Sequence, residues 1–200
     1  RRVYEAGFFA PVSEALAERL PMGAVLDAGC GEGSLLCSLL REGRAGIGVD
    51  IAKDAVRMAA AMCRSATWCV GDVCNLPVPD GSIDAVINML TPANYAEFIR
   101  VLRPDGRLIK IVPGPAHLAE IRAMTGKQRH EDGLMAQRAL LARSHIIMEE
   151  IPIRYAVPCD AAMAADVFRM TPLTAHVKAP EGGWPEAVTV DVVVWVAEKG

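Results

Sequence analysis

The chain has 200 residues, of which 52% are hydrophobic and 22% charged, and this balance excludes a disordered chain and indicates one globular domain with a full core. No apolar run approaches the roughly 20 residues of a membrane-spanning helix, and the first residues do not resemble a signal peptide, so we expect a cytoplasmic protein with no membrane partner. The formal charge of −3 excludes a surface that is basic throughout but allows a local basic face. The six cysteines form no C-x-x-C pair, so we predict neither a disulfide framework nor a metal site.

The first half of the chain alternates between predicted strands and helices. Residues 1–20 are predicted to form a helical cap that precedes the first strand. Predicted strands cover residues 24–28, 45–50, 67–70, 82–88 and 107–112, and predicted helices cover residues 32–41, 54–63 and 95–102. Residues 103–106, with the sequence Arg-Pro-Asp-Gly, are predicted to form a turn. This alternation is typical of a doubly wound α/β fold with a parallel sheet.

The second half of the chain departs from that alternation. Residues 113–145 contain two predicted helices, and we expect them to form a helical insertion on the substrate side of the sheet. Two further strands, residues 146–157 and 188–197, flank a predicted helix over residues 160–170 and should form an antiparallel edge. The sequence therefore predicts a single domain, residues 1–200, with a seven-stranded and mostly parallel sheet.

A glycine-rich loop follows the first predicted strand. Its spacing is Gly29-x-Gly31-x-Gly33, preceded by Asp27, and it differs from the G-x-G-x-x-G spacing of dinucleotide-binding loops. Such loops also occur as plain connections between a strand and a helix. The acidic residue followed by G-x-G-x-G resembles motif I of the S-adenosylmethionine (SAM)-dependent methyltransferases, whose cofactor has a cationic amino-acid end that a carboxylate can attract.

Polar side chains also end the next three predicted strands. Asp50 lies about 20 residues after the glycines, where a carboxylate can accept both ribose hydroxyls of NAD or of SAM. Asp72 ends the third strand and Asn88 the fourth, and ligands of such sheets bind at these carboxyl ends. In methyltransferases the place of Asp72 meets the adenine amine and the next side chain, here Val73, lies against the ring. The predicted cofactor-binding residues are Asp27, Gly29, Gly31, Gly33, Asp50, Ile51, Asp72, Val73 and Asn88.

Several further segments resemble the 23S ribosomal RNA (rRNA) guanine-N1 methyltransferases, which include types that confer resistance to tylosin or mycinamicin. The resemblance covers nearly the whole chain and is carried by Arg1-Arg2 with Gly7-x-Phe9-x-Pro11, Leu26 to Gly33, Gly48 to Lys53, Arg103 to Gly106, Pro113-Gly114-Pro115-x-His117-Leu118 and Met170-Thr171-Pro172-Leu173. It implies a class I SAM-dependent methyltransferase fold, SAM as the cofactor and 23S rRNA as the substrate. In that family a cysteine-rich zinc module precedes the Arg-Arg segment.

The expected reaction is direct methyl transfer to N1 of guanine, in which an acceptor must receive the N1 proton. Asn88 could hold the guanine edge, and His117 is the candidate titratable group on the substrate side, so these two are the catalytic candidates. The basic segment from Arg122 to His145, with Arg1 and Arg2, is predicted to face the RNA. A small-molecule methyltransferase and a non-enzymatic SAM-binding module are the alternatives. The oligomeric state stays open, with a homodimer among the options.

Overall fold

The computed structural model describes residues 1–126 and 133–199, and its centre is one seven-stranded sheet with the strand order β3-β2-β1-β4-β5-β7-β6. The strands are β1 (Gly23–Ala28), β2 (Arg44–Asp50), β3 (Ala66–Val70), β4 (Ile83–Met89), β5 (Leu102–Pro113), β6 (His145–Pro158) and β7 (Ala187–Lys199). The first five pair in parallel, as predicted, and β1 to β4 lie within one residue of their predicted bounds. The doubly wound α/β fold is therefore confirmed.

Helices cover both faces of this sheet. They are α1 (Arg2–Glu5), α2 (Ala10–Arg19), α3 (Ser34–Leu39), α4 (Lys53–Met62), α5 (Tyr95–Val101), α6 (Ala119–Ala123), α7 (Gly133–Leu141) and α8 (Ala161–Met170). Side chains of α1, α2, α3, α6 and α8 join one apolar core with the sheet, and those of α5 and α7 join a second core on the opposite face. Local sequence sets helix starts: Asn94 and Asp160 cap α5 and α8 by accepting backbone N–H bonds from Glu97 and Met163.

The antiparallel pair at one side of the sheet is also confirmed. Strand β7 pairs antiparallel with β5 and with β6, which leaves β6 as the edge strand. The valine-rich centre of β7 is buried on both faces, which explains the strong β-branched content of that segment. Within the described residues, no helix has both the length and the apolar character needed to cross a bilayer.

The Arg-Pro-Asp-Gly segment turns as predicted, because a Cβ added to Gly106 would lie 3.1 Å from the backbone nitrogen and oxygen of Arg103. The structure includes this turn within β5 as a bulge, since Ile83 pairs with Leu102 whereas Ala85 already pairs with Arg107. Arg103 at the bulge donates to Asp84 at 2.5 Å, and Asp84 also accepts the backbone N–H of Ala24 at 2.7 Å. A charged contact across β4 and β1 therefore holds this segment against the sheet, and a turn prediction from local sequence could not include that contact.

Trp68 of β3 supports the first βα loop from one face of the sheet. A Cβ atom added to Gly48 of β2 would lie 2.3 Å from the indole ring, and one added to Gly33 would lie 2.5 Å from it. The indole N–H donates to the carbonyl oxygen of Cys63 at 2.8 Å, which fixes the ring at the end of α4. The glycines at 33 and 48 therefore allow a large side chain to pack directly under the loop.

We predict that Gly48→Ala lowers the free energy of unfolding by about 1 to 3 kcal/mol, because the added methyl group overpacks the indole of Trp68. Urea denaturation monitored by circular dichroism measures this change. The matched control is Gly182→Ala, where an added Cβ meets no atom within 4 Å and stability should stay within about 0.5 kcal/mol of the parent. Equal stability of the two variants would contradict the packing role of Trp68.

Candidate active site

The glycine loop lies at the carboxyl end of β1 and is tied to the end of β2. The backbone N–H groups of Gly29 and Cys30 both donate to the carbonyl oxygen of Val49, at 2.8 and 3.1 Å. Gly31 has a φ of +54°, and a Cβ added to it would meet no atom within 4 Å. The loop therefore keeps a stretch of backbone open to a ligand at Gly31, in a conformation that favours glycine.

Two predicted carboxylates shape the rim of this site. Asp50 accepts the N–H of Gly31 at 2.8 Å through one oxygen and the N–H of Ala52 at 2.8 Å through the other. Asp72 accepts the N–H of Cys74 at 2.8 Å and is exposed. The structure thus places both acids at neighbouring strand ends, as predicted. Ile51 is 74% exposed although it is a large apolar side chain, which offers an apolar surface beside Asp50.

Asp27 differs from these acids because it is fully enclosed at the end of β1. Burial raises the pKa of its carboxyl group from the ordinary 3.8 to about 7, and the negative charge of Asp50 contributes in the same direction. A cationic ligand beside Asp27 would lower this pKa and favour the carboxylate. The negative charge of Asp27 is therefore costly unless a positive group lies beside it.

Two residues near Asp27 were missed by the sequence analysis, Tyr4 of the N-terminal helix α1 and Glu32 of the glycine loop. Tyr4 is half-buried, and its pKa is raised by burial and by the charges of Asp27 and Glu32. The Glu32 Oε2 atom is buried and has no hydrogen-bond partner among the described residues. Glu32 lies within the glycine motif itself, so its acidic character was a signal that could have been used.

Asn88 is fully buried at the end of β4 and connects three parts of the site. Its amide nitrogen donates to the carbonyl oxygen of Ala28 at 2.7 Å and to the hydroxyl oxygen of Thr91 at 2.7 Å. Its amide oxygen accepts from the Lys110 ammonium group at 2.5 Å. These contacts assign the Asn88 side chain to the support of the site, so it does not present a free amide edge to a substrate.

A cavity of about 410 Å³ lies beside the Asn88 contacts, at the carboxyl ends of β4 and β5. It is lined by Leu90, Thr91, Pro92, Ala93, Tyr95, Lys110, Ile111, Pro113, Gln137 and Leu140. Thr91 also lies against the glycine loop, because a Cβ added to Gly29 would come within 2.8 Å of its hydroxyl oxygen. The cavity therefore adjoins the loop and offers room for a second ligand.

Lys110 is the cavity residue that the sequence analysis missed. A lone lysine inside the apolar run Leu108–Val112 was the available signal, since lysine is rarely buried without a specific reason. Burial lowers the pKa of its ammonium group from 10.5 to about 8.

His117 lies outside the lining of this cavity. It is buried in the loop after β5, and its Nδ1 atom lies 3.3 Å from the backbone nitrogen of Asp191, from which it accepts. The same loop is held by Arg122, which donates to the carbonyl oxygen of His117 at 2.5 Å. These contacts give His117 a place in the loop scaffold, and its catalytic role stays a prediction.

The predicted RNA-facing segment is only partly described. Lys127 and Arg129 lie outside the described residues. Arg122 binds carbonyl oxygens of its own loop, and Arg138 forms an ion pair with Glu150 at 3.1 Å. Arg2 of α1 pairs with Asp166 of α8 at 2.7 Å. Exposed ion pairs are weak, so Arg2 and Arg138 could exchange these partners for phosphate groups, and the RNA-facing surface stays a prediction.

Comparison with known proteins places the chain among methyltransferases. Residues 25–106 match the family described as a methyltransferase domain. The chain is 33% identical over 189 residues to Bacillus subtilis (strain 168) YxjB, provisionally named a 23S rRNA (guanine-N(1)-)-methyltransferase, and the match covers 86% of this chain and 66% of YxjB. It is 36% identical over 185 residues to the 23S rRNA (guanine(748)-N(1))-methyltransferase of Streptomyces fradiae. This second match covers 86% of this chain and 65% of that protein. The chain belongs to the methyltransferase family.

This family assignment confirms the predicted class of protein and its cofactor, SAM. The solved structure of a geranyl diphosphate methyltransferase in complex with SAM has a TM-score of 0.61 at 17% identity, covering 95% of this chain and 85% of that one, which shows a shared fold. The chain spans about two thirds of the length of the two rRNA-methyltransferase relatives.

We predict that Asp27→Asn stabilises this methyltransferase domain at high pH. The folded pKa lies above the unfolded value, so the stability contribution of Asp27 is complete below pH 3.8 and is lost as the pH rises towards 7. The gain in the variant should approach about 4 kcal/mol at pH 8 as an upper bound and should be less than half of this at pH 5. Urea denaturation at both pH values measures the difference.

The exposed Asp54→Asn variant is the control for this experiment, and its stability should change little at either pH. A gain in Asp27→Asn that does not depend on pH would show that the carboxyl group of Asp27 is not the source.

Proposed function

We propose that this domain transfers a methyl group from SAM to N1 of a guanine in 23S rRNA. The observation that carries the proposal is the direct contact between a SAM-type glycine loop and a 410 Å³ cavity, made through Thr91. A cavity at this place supplies the substrate entrance that an enzyme needs and a SAM-binding module without catalysis does not. Two relatives support rRNA as the substrate, because both are named 23S rRNA guanine-N1 methyltransferases and each match covers 86% of this chain.

In this proposal each part of the rim binds one part of the cofactor. Asp50 accepts the ribose hydroxyls, and the exposed side chain of Ile51 lies with Val73 against the adenine ring, where Asp72 meets the amine. The open backbone at Gly31 and the buried carboxylate of Asp27 receive the amino-acid end. A cationic amino group that donates a charge-assisted hydrogen bond to Asp27 would be favourable, because Asp27 is buried.

The protein's own contribution to the reaction is mainly alignment. The sulfonium carbon is already an activated donor, so no covalent intermediate with the protein is required. Holding guanine N1 in line with the donor carbon can contribute roughly 7 to 11 kcal/mol to the lowering of the barrier. Asn88 fixes the Thr91 loop between the two ligands, and His117 fixes the loop after β5, so we propose both as positioning residues.

Two helical segments beside the sheet, residues 113–145 and residues 1–20, have proposed roles in binding the substrate and the cofactor. Gln137 and Leu140 of α7 line the cavity, which supports the role of residues 113–145 as a substrate-side insertion. Tyr4 of α1 is near enough to Asp27 for that charge to raise its pKa, which supports residues 1–20 as a cap over the cofactor. A homodimer stays a prediction.

A small-molecule substrate is the second candidate, and the apolar lining of the cavity favours it. Leu90, Ala93, Ile111 and Leu140 supply most of the apolar wall. The chain is also 34% identical over 126 residues to a nocamycin O-methyltransferase of Saccharothrix syringae, which covers 54% of this chain and 45% of that protein.

The two candidates are separated by incubating the chain with tritiated-methyl SAM and unmodified 23S rRNA transcript. We expect tritium in the RNA and a new reverse-transcription stop at one guanine, because a methyl group on N1 blocks base pairing. No incorporation into rRNA, with transfer to small molecules of a cell extract, would favour the second candidate.

We predict that Asp50→Ala weakens SAM binding by about 1.5 to 3 kcal/mol, or roughly 10- to 150-fold in Kd, because charge-assisted hydrogen bonds to the ribose are lost. Isothermal titration calorimetry measures the affinity. The control is Asp54→Ala, whose side chain is exposed and pairs only with Arg57 among the described residues, so its Kd should not change. Unchanged affinity in the Asp50 variant would remove Asp50 from the proposed site.

A further inference from the structure

Lys110 is a buried cation held by neutral partners. Its side chain is 3% exposed, and its ammonium group donates to the amide oxygen of Asn88 at 2.5 Å and to the carbonyl oxygen of Thr91 at 2.7 Å. An ammonium group has three donors, and the third has no partner among the described residues. Burial lowers the pKa of this group, and none of its hydrogen-bond partners among the described residues is a carboxylate. Within the part of the chain that the structure describes, a positive charge without an anionic partner therefore lies near the carboxyl end of β5.

The position of this charge links the cofactor loop to the cavity. Lys110 lines the 410 Å³ cavity, and both of its partners, Asn88 and Thr91, also touch the end of β1 or the glycine loop. An ordinary structural lysine would satisfy its charge with an acidic side chain or extend to solvent. Lys110 does neither within the described residues, so its missing counter-ion is best supplied by a ligand in the cavity.

The proposed reaction creates a suitable counter-charge. N1 of guanine carries a hydrogen atom, and its lone pair becomes available for methyl transfer only as that proton leaves. The negative charge is then shared between N1 and the neighbouring exocyclic oxygen, O6. A preorganised donor aimed at such developing charge, in a site that excludes water, is among the largest contributions to catalysis.

We propose that the Lys110 ammonium group binds O6 of the target guanine in this cavity and stabilises the charge that gathers there as N1 loses its proton. This inference rests on the proposed function. The electron pair of the N1–H bond stays on N1 and forms the new bond to the methyl carbon. The pair of the carbon–sulfur bond goes to sulfur, and the proton leaves to water. Lys110 keeps its own proton throughout.

The titration behaviour fits this role. A pKa of about 8 leaves the Lys110 ammonium group mostly protonated at pH 7. Its burial lowers the local dielectric constant, so its charge interacts strongly with a ligand in the cavity. Tyr95 is the other titratable side chain of the described cavity lining, and burial raises its pKa, so it stays neutral in the same pH range. The rate should therefore fall above about pH 8 as Lys110 deprotonates.

The first test measures rRNA methylation by Lys110→Met, with Lys110→Arg as the charge-conserving variant. We expect kcat to fall about 10²- to 10³-fold in Lys110→Met, with SAM affinity unchanged and partial rescue by arginine. The rate of Lys110→Met should keep rising above pH 8, because only alkaline pH then supplies the guanine anion. The exposed Lys178→Met variant is the control. Wild-type kcat in a folded Lys110→Met protein would overturn the inference.

The second test does not depend on methyl transfer or on the folding of a variant. The protein labelled with ¹³C at lysine Cε is titrated by NMR in the presence of S-adenosylhomocysteine, alone and with xanthosine, a purine nucleoside that is anionic near neutral pH. We expect xanthosine to raise the pKa of Lys110 by about 1 or more and adenosine to leave it unchanged. No response to xanthosine would overturn the contact with a purine oxygen. A response without any rRNA methylation would overturn the rRNA proposal and keep this contact.

Discussion

The amide group of Asn88 is the contact on which the two halves of the site depend. It joins the last residue of β1 to the loop after β4 through its nitrogen, and it joins that loop to β5 through Lys110. The end of β1 leads directly into the glycine loop, and the loop after β4 lines the cavity. A single buried amide therefore sets the distance between the glycine loop and the cavity. A neutral amide in an enclosed site is well suited to this task, because it can donate and accept hydrogen bonds at once without adding a charge of its own.

Asp27 and Lys110 are enclosed groups of opposite charge near the carboxyl ends of β1 and β5, and the ionised form of each is unfavourable in the isolated protein. Burial raises the pKa of Asp27 and lowers that of Lys110, which means that each group resists ionisation where it stands. A fold selected for stability alone would replace them with neutral residues of similar size. Their presence at the carboxyl ends of β1 and β5 is best explained by the ligands that would neutralise them, a cation on one side and a developing anion on the other.

Much of the fold was predictable because local sequence and tertiary contacts agree. The buried runs of β1 and β4 end at Gly29 and near Asn88, and these ends locate the site. The turn at residues 103–106 was predictable, whereas its inclusion in β5 and its ion pair between Arg103 and Asp84 were not, since both depend on contacts between strands. The contacts of Asn88 were not predictable either. Whether Asn88 faces a substrate or its neighbours depends on a contact between strands that are adjacent in space and separated by 22 residues in sequence.

The bulge in β5 also makes the geometry of the site independent of the number of residues between α5 and the paired part of β5. Leu102 pairs with Ile83 on one side of the bulge, and Arg107 pairs with Ala85 on the other, so the intervening residues carry no ladder of their own with β4. Residues gained or lost there during evolution would change the outline of the opposite rim of the sheet and leave Lys110 facing Asn88. A change of length in this connection should therefore leave the contact between Lys110 and Asn88 in place.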